Sequence, residues 1–406
     1  MKILHTSDWH LGHRLIEQSQ YEEQSMFLKW LTDLIGEKRI DLLLVSGDIF
    51  DTGAPSAQSL RMYYDFLVGI RRTHCRHVVI TGGNHDAPGI LNAPRELLRA
   101  LSVFVTGKVT GNVEDEILRF DIHGETIIVA AVPFLRDQDI RRAVAGESFE
   151  QIGNRYKKAL INHYAEVATA VEAVKSDKTT VIAMGHLFVT GGKTSDSEQT
   201  IYVGNLGDIG AEDFPEIFDY IALGHLHRPQ KVAGNDRIRY CGSPLAYSFA
   251  EAGRDKKVVL LETAEGMIEK IDEIVVPRFR EIVRVTGTPD EIDLKLRKVR
   301  SNRYRLTPRV EVVLDNQSNT NIGSADIHKI AEGLDIEILK ITLKKERDTT
   351  GPEQFTGDVK DIGELSPIEV FEMKCREQEF DIDNNPQIRD AFNEALQLAL
   401  QQNKEQ

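Results

Sequence analysis

The chain is poor in cysteine. Its 406 residues include three, Cys75, Cys241 and Cys375, and no two stand in a C-x-x-C spacing. Scattered thiols in odd number exclude a disulfide framework and a paired-cysteine zinc site, so each reads as a buried or incidental thiol. Long apolar runs are missing as well. The longest, Thr126 to Leu135, is about half of the ~20 residues a bilayer demands, and it contains Pro133. No signal-peptide h-region follows Met1, so a cytoplasmic location without membrane contact is the expectation. Positive charge is not in excess either. Fifty Lys and Arg stand against 64 Asp and Glu, a formal net charge of −14. That disfavours a general-purpose polyanion binder, because phosphate contacts need clustered cations. Thirteen acidic and five basic residues fall within 351–406, so the rest lies closer to neutral and leaves room for a local basic face. No internal repeat or low-complexity segment is evident.

What is present is ordinary globular material. With 41% hydrophobic and 28% charged residues, the chain can build a large core and has the length of two to three domains. Short apolar runs alternate with helical patterns: strands at Ile3–Thr6, Leu42–Val45 and Val78–Ile80, with helices over Glu22–Ile35 and around Leu60–Ile70. Such spacing predicts βαβ units and a buried, largely parallel sheet, hence an α/β fold. Further strands follow at Ile127–Val132, Val181–Met184 and Ile221–Leu223, with a helix over Tyr156–Val174. Arg237–Cys241 and Lys257–Leu261 read as hairpins closing a layer. After Val276-Pro277-Arg278 the pattern becomes a small β-α-β-α-β unit with its own core. The expected organisation is a first domain over 1–277, a small α+β domain over 278–346, a polar linker over 347–365 and a helical tail over 366–406. In that tail Ser366-Pro367-Ile368-Glu369 is a capping box with Pro at the first helical position, and Asn385-Pro386 opens a second helix.

Five segments each follow an apolar run and present metal-binding side chains. They are Asp8-Trp9-His10, Gly47-Asp48-Ile49-Phe50-Asp51, Gly83-Asn84-His85-Asp86, Gly185-His186 and Gly224-His225-Leu226-His227. Ligands of open α/β sheets bind outside the carboxyl ends of strands, where these segments fall. D-x-H and H-x-H spacings point both side chains to one side of an extended chain. A lone Asp-x-His at a strand end is ordinarily a cap or a satisfied polar pair; five such segments in series are not. Asp8, Asp48, Asn84, His10, His186, His225 and His227 exceed the three or four ligands of a single zinc and fit two metals. Mixed imidazole, carboxylate and amide ligands suit manganese better than magnesium. His5, His13, His74, His77, His123, His163 and His328 lack this context and read as structural or surface residues.

The five segments resemble the signature of calcineurin-like metallophosphoesterases: D-x-H, G-D, G-N-H-D/E, G-H, G-H-x-H. Further stretches are similar to the SbcD family of bacterial nuclease subunits. These are His5–Gly12, Gly47–Gly53, Pro133-Phe134-Leu135-Arg136, Tyr240-Cys241-Gly242-Ser243-Pro244 and Ser248-Phe249. The resemblance implies a layered sandwich with helices flanking the sheets, a capping role for 278–346, and two divalent cations, Mn²⁺ by family behaviour. It makes Asp48 the carboxylate shared by both metals, with Asp8, His10 and His227 on one and Asn84, His186 and His225 on the other. His85 would face the scissile phosphate, with Asp86 orienting it. Asp51 stays open among ligand neighbour, outer partner and plain turn residue. The implied activity is hydrolysis of DNA phosphodiesters, exonucleolytic at duplex ends and endonucleolytic in single strands or hairpins, in repair and recombination. The implied partner is an SbcC-type ABC ATPase gripped by the tail helices. A homodimer would form through helices within Ser56–Arg72 and Ala93–Leu101, inside a heterotetramer.

Two motifs weigh less. Gly191-Gly192-Lys193-Thr194 ends like a Walker A loop, but Leu187 stands where that motif needs Gly, so no nucleotide site is expected. Seven basic residues between Lys295 and Arg309 could contact a DNA backbone or simply form a solvated helix face. Competing functions are a phosphatase or phosphodiesterase acting on small substrates, and a non-catalytic scaffold bridging DNA and ATPase.

Overall fold

The computed structural model describes residues 1–140, 149–194, 209–299, 304–315 and 324–344, together with Phe371. The linker at 347–365, the rest of the tail at 366–406 and Cys375 lie outside these residues. By internal contacts the chain divides into Met1–Gln199 with Leu206–Glu346, and Thr200–Asn205 with Arg347–Gln406. Everything described below belongs to the first unit.

In chain order the first elements are β1 Lys2–Thr6, β2 Arg14–Leu15, β3 Gln18–Ser19, α1 Tyr21–Lys38, β4 Leu42–Ser46, α2 Ala57–Ile70 and β5 His77–Thr81. There follow α3 Pro88–Asn92, α4 Arg95–Ala100, β6 Val103–Thr106, β7 Ile117–Ile122, β8 Glu125–Ala131, α5 Asp137–Ile140 and α6 Phe149–Val174. Then come β9 Thr179–His186, β10 Tyr220–Gly224, β11 Gln230–Val232, β12 Asn235–Tyr240, β13 Lys257–Ala264 and β14 Met267–Val275. The last are β15 Arg280–Gly287, α7 Pro289–Leu296, β16 Leu306–Asp315, α8 Ser324–Ala331 and β17 Glu337–Lys344.

One six-stranded sheet has the order β14-β13-β1-β4-β5-β6 and the other β11-β12-β10-β9-β8-β7. In the first, β1, β4, β5 and β6 run parallel; in the second, β8, β9, β10 and β12 do. The inner strands read as unbroken apolar runs because both their faces are buried. Side chains alternate: Leu4, Leu43, Val45, Val78 and Ile80 pack on Phe27, Leu31, Met62 and Phe66 of α1 and α2. Ile3, Leu42, Leu44 and Val79 turn the other way, onto Ile127, Val129, Ile182, Met184 and Ala222 of the second sheet. On α6, Tyr156, Leu160, Tyr164, Val167 and Val171 form one buried face at helical spacing. The Tyr164 hydroxyl donates to the Met184 carbonyl at 3.2 Å, which fixes this helix on the second sheet. The result is helix, sheet, sheet, helix. The expected hairpins at β12 and β13 do form, with β11 and β14, but in different sheets. Edge strands β6 and β7 were not expected from the sequence.

Beyond Pro277, β15, β16 and β17 make a separate parallel sheet, with α7 and α8 covering a core of Val285, Ile292, Leu296, Val310, Val312, Leu314 and Ile327. This unit is tied to the first turn of α1 by buried charge. Arg280 Nε reaches Glu23 Oε1 at 2.5 Å and Arg309 reaches the same oxygen at 3.3 Å. The basic run before Arg309 is therefore not a uniform solvated face: Arg309 is buried.

Candidate metal centre

The carboxyl ends of β1, β4 and β5 in one sheet meet those of β9 and β10 in the other. The seam is stitched by the Ser46 hydroxyl, which donates to the Ala222 carbonyl at 2.9 Å. The turns leaving these strands are sharp. Asp8, His10, Asp48 and His225 all hold positive φ (53°, 43°, 49° and 100°). For residues with a Cβ this costs about 1–3 kcal/mol each and persists only where surroundings enforce it. Backbone bonds do part of that: Asp8 N–H to the Gly47 carbonyl and His10 N–H to the Asp48 carbonyl, both 3.0 Å. Side chains do the rest. Gln24 Nε2 donates to the His10 carbonyl at 2.8 Å while its Oε1 accepts from Gly12 N–H at 3.1 Å. The Tyr247 hydroxyl lies 3.0 Å from the Asp8 carbonyl and 2.6 Å from that of Trp9. Glycine is required where the loops touch. A Cβ on Gly83 would lie 2.1 Å from Asp48 Oδ1, and one on Gly47 would lie 2.2 Å from His186 Nδ1.

The side chains these turns present converge. Asp48 Oδ2 lies 3.2 Å from His186 Nε2 and 3.5 Å from His10 Nε2, so it sits between two clusters. His186 Nε2 also faces Asn84 Oδ1 at 2.9 Å, and His10 Nε2 faces His227 Nε2 at 3.1 Å. Ligand atoms of Asp8, His10 and His227 lie within 4.8 Å of one another, as do those of Asp8, Asp48 and His186, and of His10, Asp51 and His85. The first expected set is thus gathered. Of the second, Asn84 and His186 meet. His225 enters none of these trios: its N–H donates to Asp8 Oδ1 at 2.9 Å and its ring stands edge-on to His186 at 5.4 Å.

The donor set calls for a cation. His186 Nδ1 donates to the Ser46 carbonyl at 3.0 Å, so in the neutral ring Nε2 is a lone pair aimed at two oxygens that are themselves acceptors. The Asp48 carboxylate beside that lone pair favours a positive group between them. Without a metal it is a proton: burial opposes it, but the Asp48 carboxylate raises the His186 pKa to about 9. Burial likewise works against the Asp48 charge, yet His186 and His10 hold its pKa well below the usual carboxylate range. His225 is pushed well down by burial and by His186, which keeps its imidazole neutral and able to ligate. Asp8, His10, Asp48, Asn84, His186 and His227 make a donor set that suits divalent cations, with the His225 ring beside it.

One expected role needs correcting. Asp86 does not orient His85. The turn after β5 folds the Asp86 carboxylate back under the loops, where it accepts from Gly83 N–H at 2.9 Å, Phe50 N–H at 3.0 Å and Ile49 N–H at 3.1 Å. It locks the Asp48 loop to the Asn84 loop. His85 is oriented instead by Asp51, through its backbone: Nδ1 donates to the Asp51 carbonyl at 2.7 Å, and the His85 N–H goes to Asp48 Oδ1 at 2.9 Å. The Asp51 carboxylate stands 3.5 Å from His10 Nδ1. Gln24, Tyr247 and the buried Lys256–Glu251 pair are supports that sequence reasoning missed. Lys256 Nζ donates to the His227 carbonyl at 3.2 Å, to Ser243 Oγ at 2.7 Å and to Glu251. Among these only Tyr247 neighbours a stretch with any sequence signal.

A family model described as calcineurin-like phosphoesterase matches residues 1–229, a span that holds every residue of the cluster from Asp8 to His227. The chain is 31% identical over 404 residues to the SbcD component of the nuclease SbcCD from Escherichia coli strain K12, covering 98% of each protein. It is 34% identical over 289 residues to the SbcCD component of the same name from Bacillus subtilis, covering 70% of this chain and 72% of that one. The counterpart in Rhodobacter capsulatus is 36% identical over 296 residues, 70% and 71% of the two chains.

Proposed function

This chain belongs to the calcineurin-like phosphoesterases and, within them, to the SbcD family; on that premise we propose that it is a two-metal DNA nuclease. A hydrolase of phosphoester bonds is what the family and the gathered ligands jointly support. The observation that carries the finer reading is Asp48 Oδ2, placed between His10 on one side and His186 on the other. Asp8, His10, Asp48 and His227 would hold one ion; Asp48, Asn84, His186 and His225 would hold the second, with Mn²⁺ the expected metal. When bound, such ions supply Lewis-acid stabilisation of charge on a phosphoryl group and make water more acidic.

The chain's own residues complete the reaction. His85, its Nδ1–H fixed on the Asp51 carbonyl, carries any transferable proton on Nε2, as an imidazolium. From there it donates to the oxygen leaving phosphorus as the P–O bond breaks, or stabilises the charge that builds on the phosphoryl group. Asp86 keeps the two loops in register so that His85 and Asp48 share one site.

Our reading of the substrate is DNA ends, cleaved exonucleolytically in duplexes and endonucleolytically in single strands and hairpins, in repair and recombination. The partner we assign is an SbcC-type ABC ATPase, held by the tail at 366–406 after the linker at 347–365. We divide the remainder into a nuclease domain over 1–277 and a capping domain over 278–346. A homodimer through α2 and α4 is supported by apolar side chains left at their surface, Val68 at 56% and Leu97 at 70% exposure. No helix among the described residues is long and apolar enough to cross a membrane, and we place the enzyme in the cytoplasm, on the nucleoid when acting.

The test offers the purified chain with Mn²⁺ a labelled duplex, a hairpin and bis-p-nitrophenyl phosphate. Cleavage of the DNA substrates is expected. Cleavage of the small ester alone favours a small-substrate phosphodiesterase, and no cleavage with metal bound favours a scaffold.

A further inference from the structure

We propose that the cleft lined by His227, Arg228, Arg254 and Lys256 is the subsite for backbone phosphates of the nucleic-acid strand beside the scissile bond. The proposal rests on the nuclease reading above. The cleft has a volume of about 340 Å³ and is also lined by Pro229, Glu251, Asp255 and Lys257. Its inner end is His227, whose Nε2 faces His10 inside the metal centre. A strand with one phosphate at the metals therefore has this opening as a neighbouring place for the next.

Charge accounting singles out two side chains. Glu251 is engaged by Lys256, Asp255 pairs with Arg278 at 3.0 Å, and Lys257 pairs with Glu273 at 2.5 Å. Arg228 and Arg254 remain. Both are exposed, and among the described residues their guanidinium groups make no hydrogen bond or ion pair. In a chain of net charge −14, two unneutralised guanidinium groups at the mouth of an anionic-substrate site are not the default surface. Their attachment is firm. Arg254 N–H bonds the Glu251 carbonyl at 3.2 Å, and the carbonyl of His227, next to Arg228, takes Lys256 Nζ at 3.2 Å. Glu251 and Lys256, themselves a buried pair, thus anchor the backbone from which both arginines extend. The planar fork of guanidinium is suited to bidentate phosphate binding.

The experiment measures fluorescence anisotropy of a labelled single-stranded oligonucleotide with the full chain in EDTA, so that no turnover occurs, across a salt series. The double variant Arg228→Ala/Arg254→Ala is expected to weaken binding about tenfold or more. The slope of log K against log salt should fall by ~0.7 for each phosphate that is no longer neutralised. Arg254→Lys should keep the slope and lose only part of the affinity. With Mn²⁺, the ratio of kcat/KM on the oligonucleotide to that on bis-p-nitrophenyl phosphate should fall by a similar factor, chiefly through KM. Unchanged affinity and slope, a parent chain that binds no strand in EDTA, or equal loss on both substrates would each overturn the subsite. A parent that binds the strand but does not cleave it with Mn²⁺ strikes the nuclease reading instead, and the anisotropy still decides the subsite.

Discussion

Replacing Gln24 by Leu removes a clamp that touches no substrate and no ligand side chain, yet it should cost metal. The Gln24 side chain is almost fully buried, at 1% exposure, and satisfies two backbone groups of the Asp8–His13 loop: the His10 carbonyl at 2.8 Å and Gly12 N–H at 3.1 Å. Leaving both unpaired costs about 1–3 kcal/mol apiece. Leu returns part of this as apolar burial, ~1–2 kcal/mol, so a net loss of about 1–4 kcal/mol is expected. The more telling effect is local. His10 sits at φ 43°, a conformation its own sterics disfavour, and without the clamp its backbone can relax. A loosened ligand backbone should weaken metal binding roughly 10- to 100-fold, the usual cost of losing an outer support. Titration calorimetry of Mn²⁺ into metal-free Gln24→Leu, beside urea unfolding, reads both quantities. Destabilisation with metal affinity equal to the parent would refute the reasoning, since it would mean that His10 is held without Gln24.

Other expectations follow from single contacts. His85→Gln should retain both ions and lose about 10²–10⁴ in turnover, whereas Asp48→Asn should lose metal as well; equal metal loss in the two, by calorimetry, contradicts the division of roles. Gly83→Ala drives a Cβ to within 2.1 Å of Asp48 Oδ1 and 2.3 Å of Asp48 N, while a Cβ on Gly89 meets nothing within 4 Å. Metal affinity should therefore collapse in the first and hold in Gly89→Ala. His5 is buried against the Tyr220 hydroxyl at 3.1 Å, and burial lowers its pKa from 6.5 to about 3. Its folded pKa lies below the unfolded one, so the unfolded chain takes up the extra proton first. The stability it contributes is complete above pH 6.5 and is lost toward pH 3 at up to ~1.4 kcal/mol per pH unit. His5→Phe should flatten that part of the urea-unfolding profile; an unchanged slope counts against the buried neutral imidazole.

Strand positions were legible because β1, β4, β5, β9 and β10 are buried on both faces, and burial on both faces leaves an unbroken apolar run in the sequence. The five polar segments stood out by following those runs directly, so candidate ligands could be named without any contact being known, and the fold brings Asp8, His10 and His227, and Asp8, Asp48 and His186, within reach of one another. The supports could not. Gln24 lies in the first turn of α1, where a buried amide and a solvated one look alike, and its partners are backbone groups that leave no mark on composition. The Asp86 role rested on the family resemblance alone, and nothing in the sequence shows that its carboxylate turns back onto the N–H groups of Ile49, Phe50 and Gly83. Arg309 belonged to a basic run whose pattern said solvent or phosphate. Its burial follows from Glu23, 286 positions away.

The central claim is that Asp48 is shared between two ions. Anomalous diffraction at the manganese edge from crystals grown with Mn²⁺ addresses it directly. The account predicts two peaks about 3.5–4 Å apart, one among Asp8, His10 and His227 and one among Asn84, His186 and His225, with Asp48 Oδ2 reaching both. A single peak, or peaks that leave Asp48 without a contact, would contradict it.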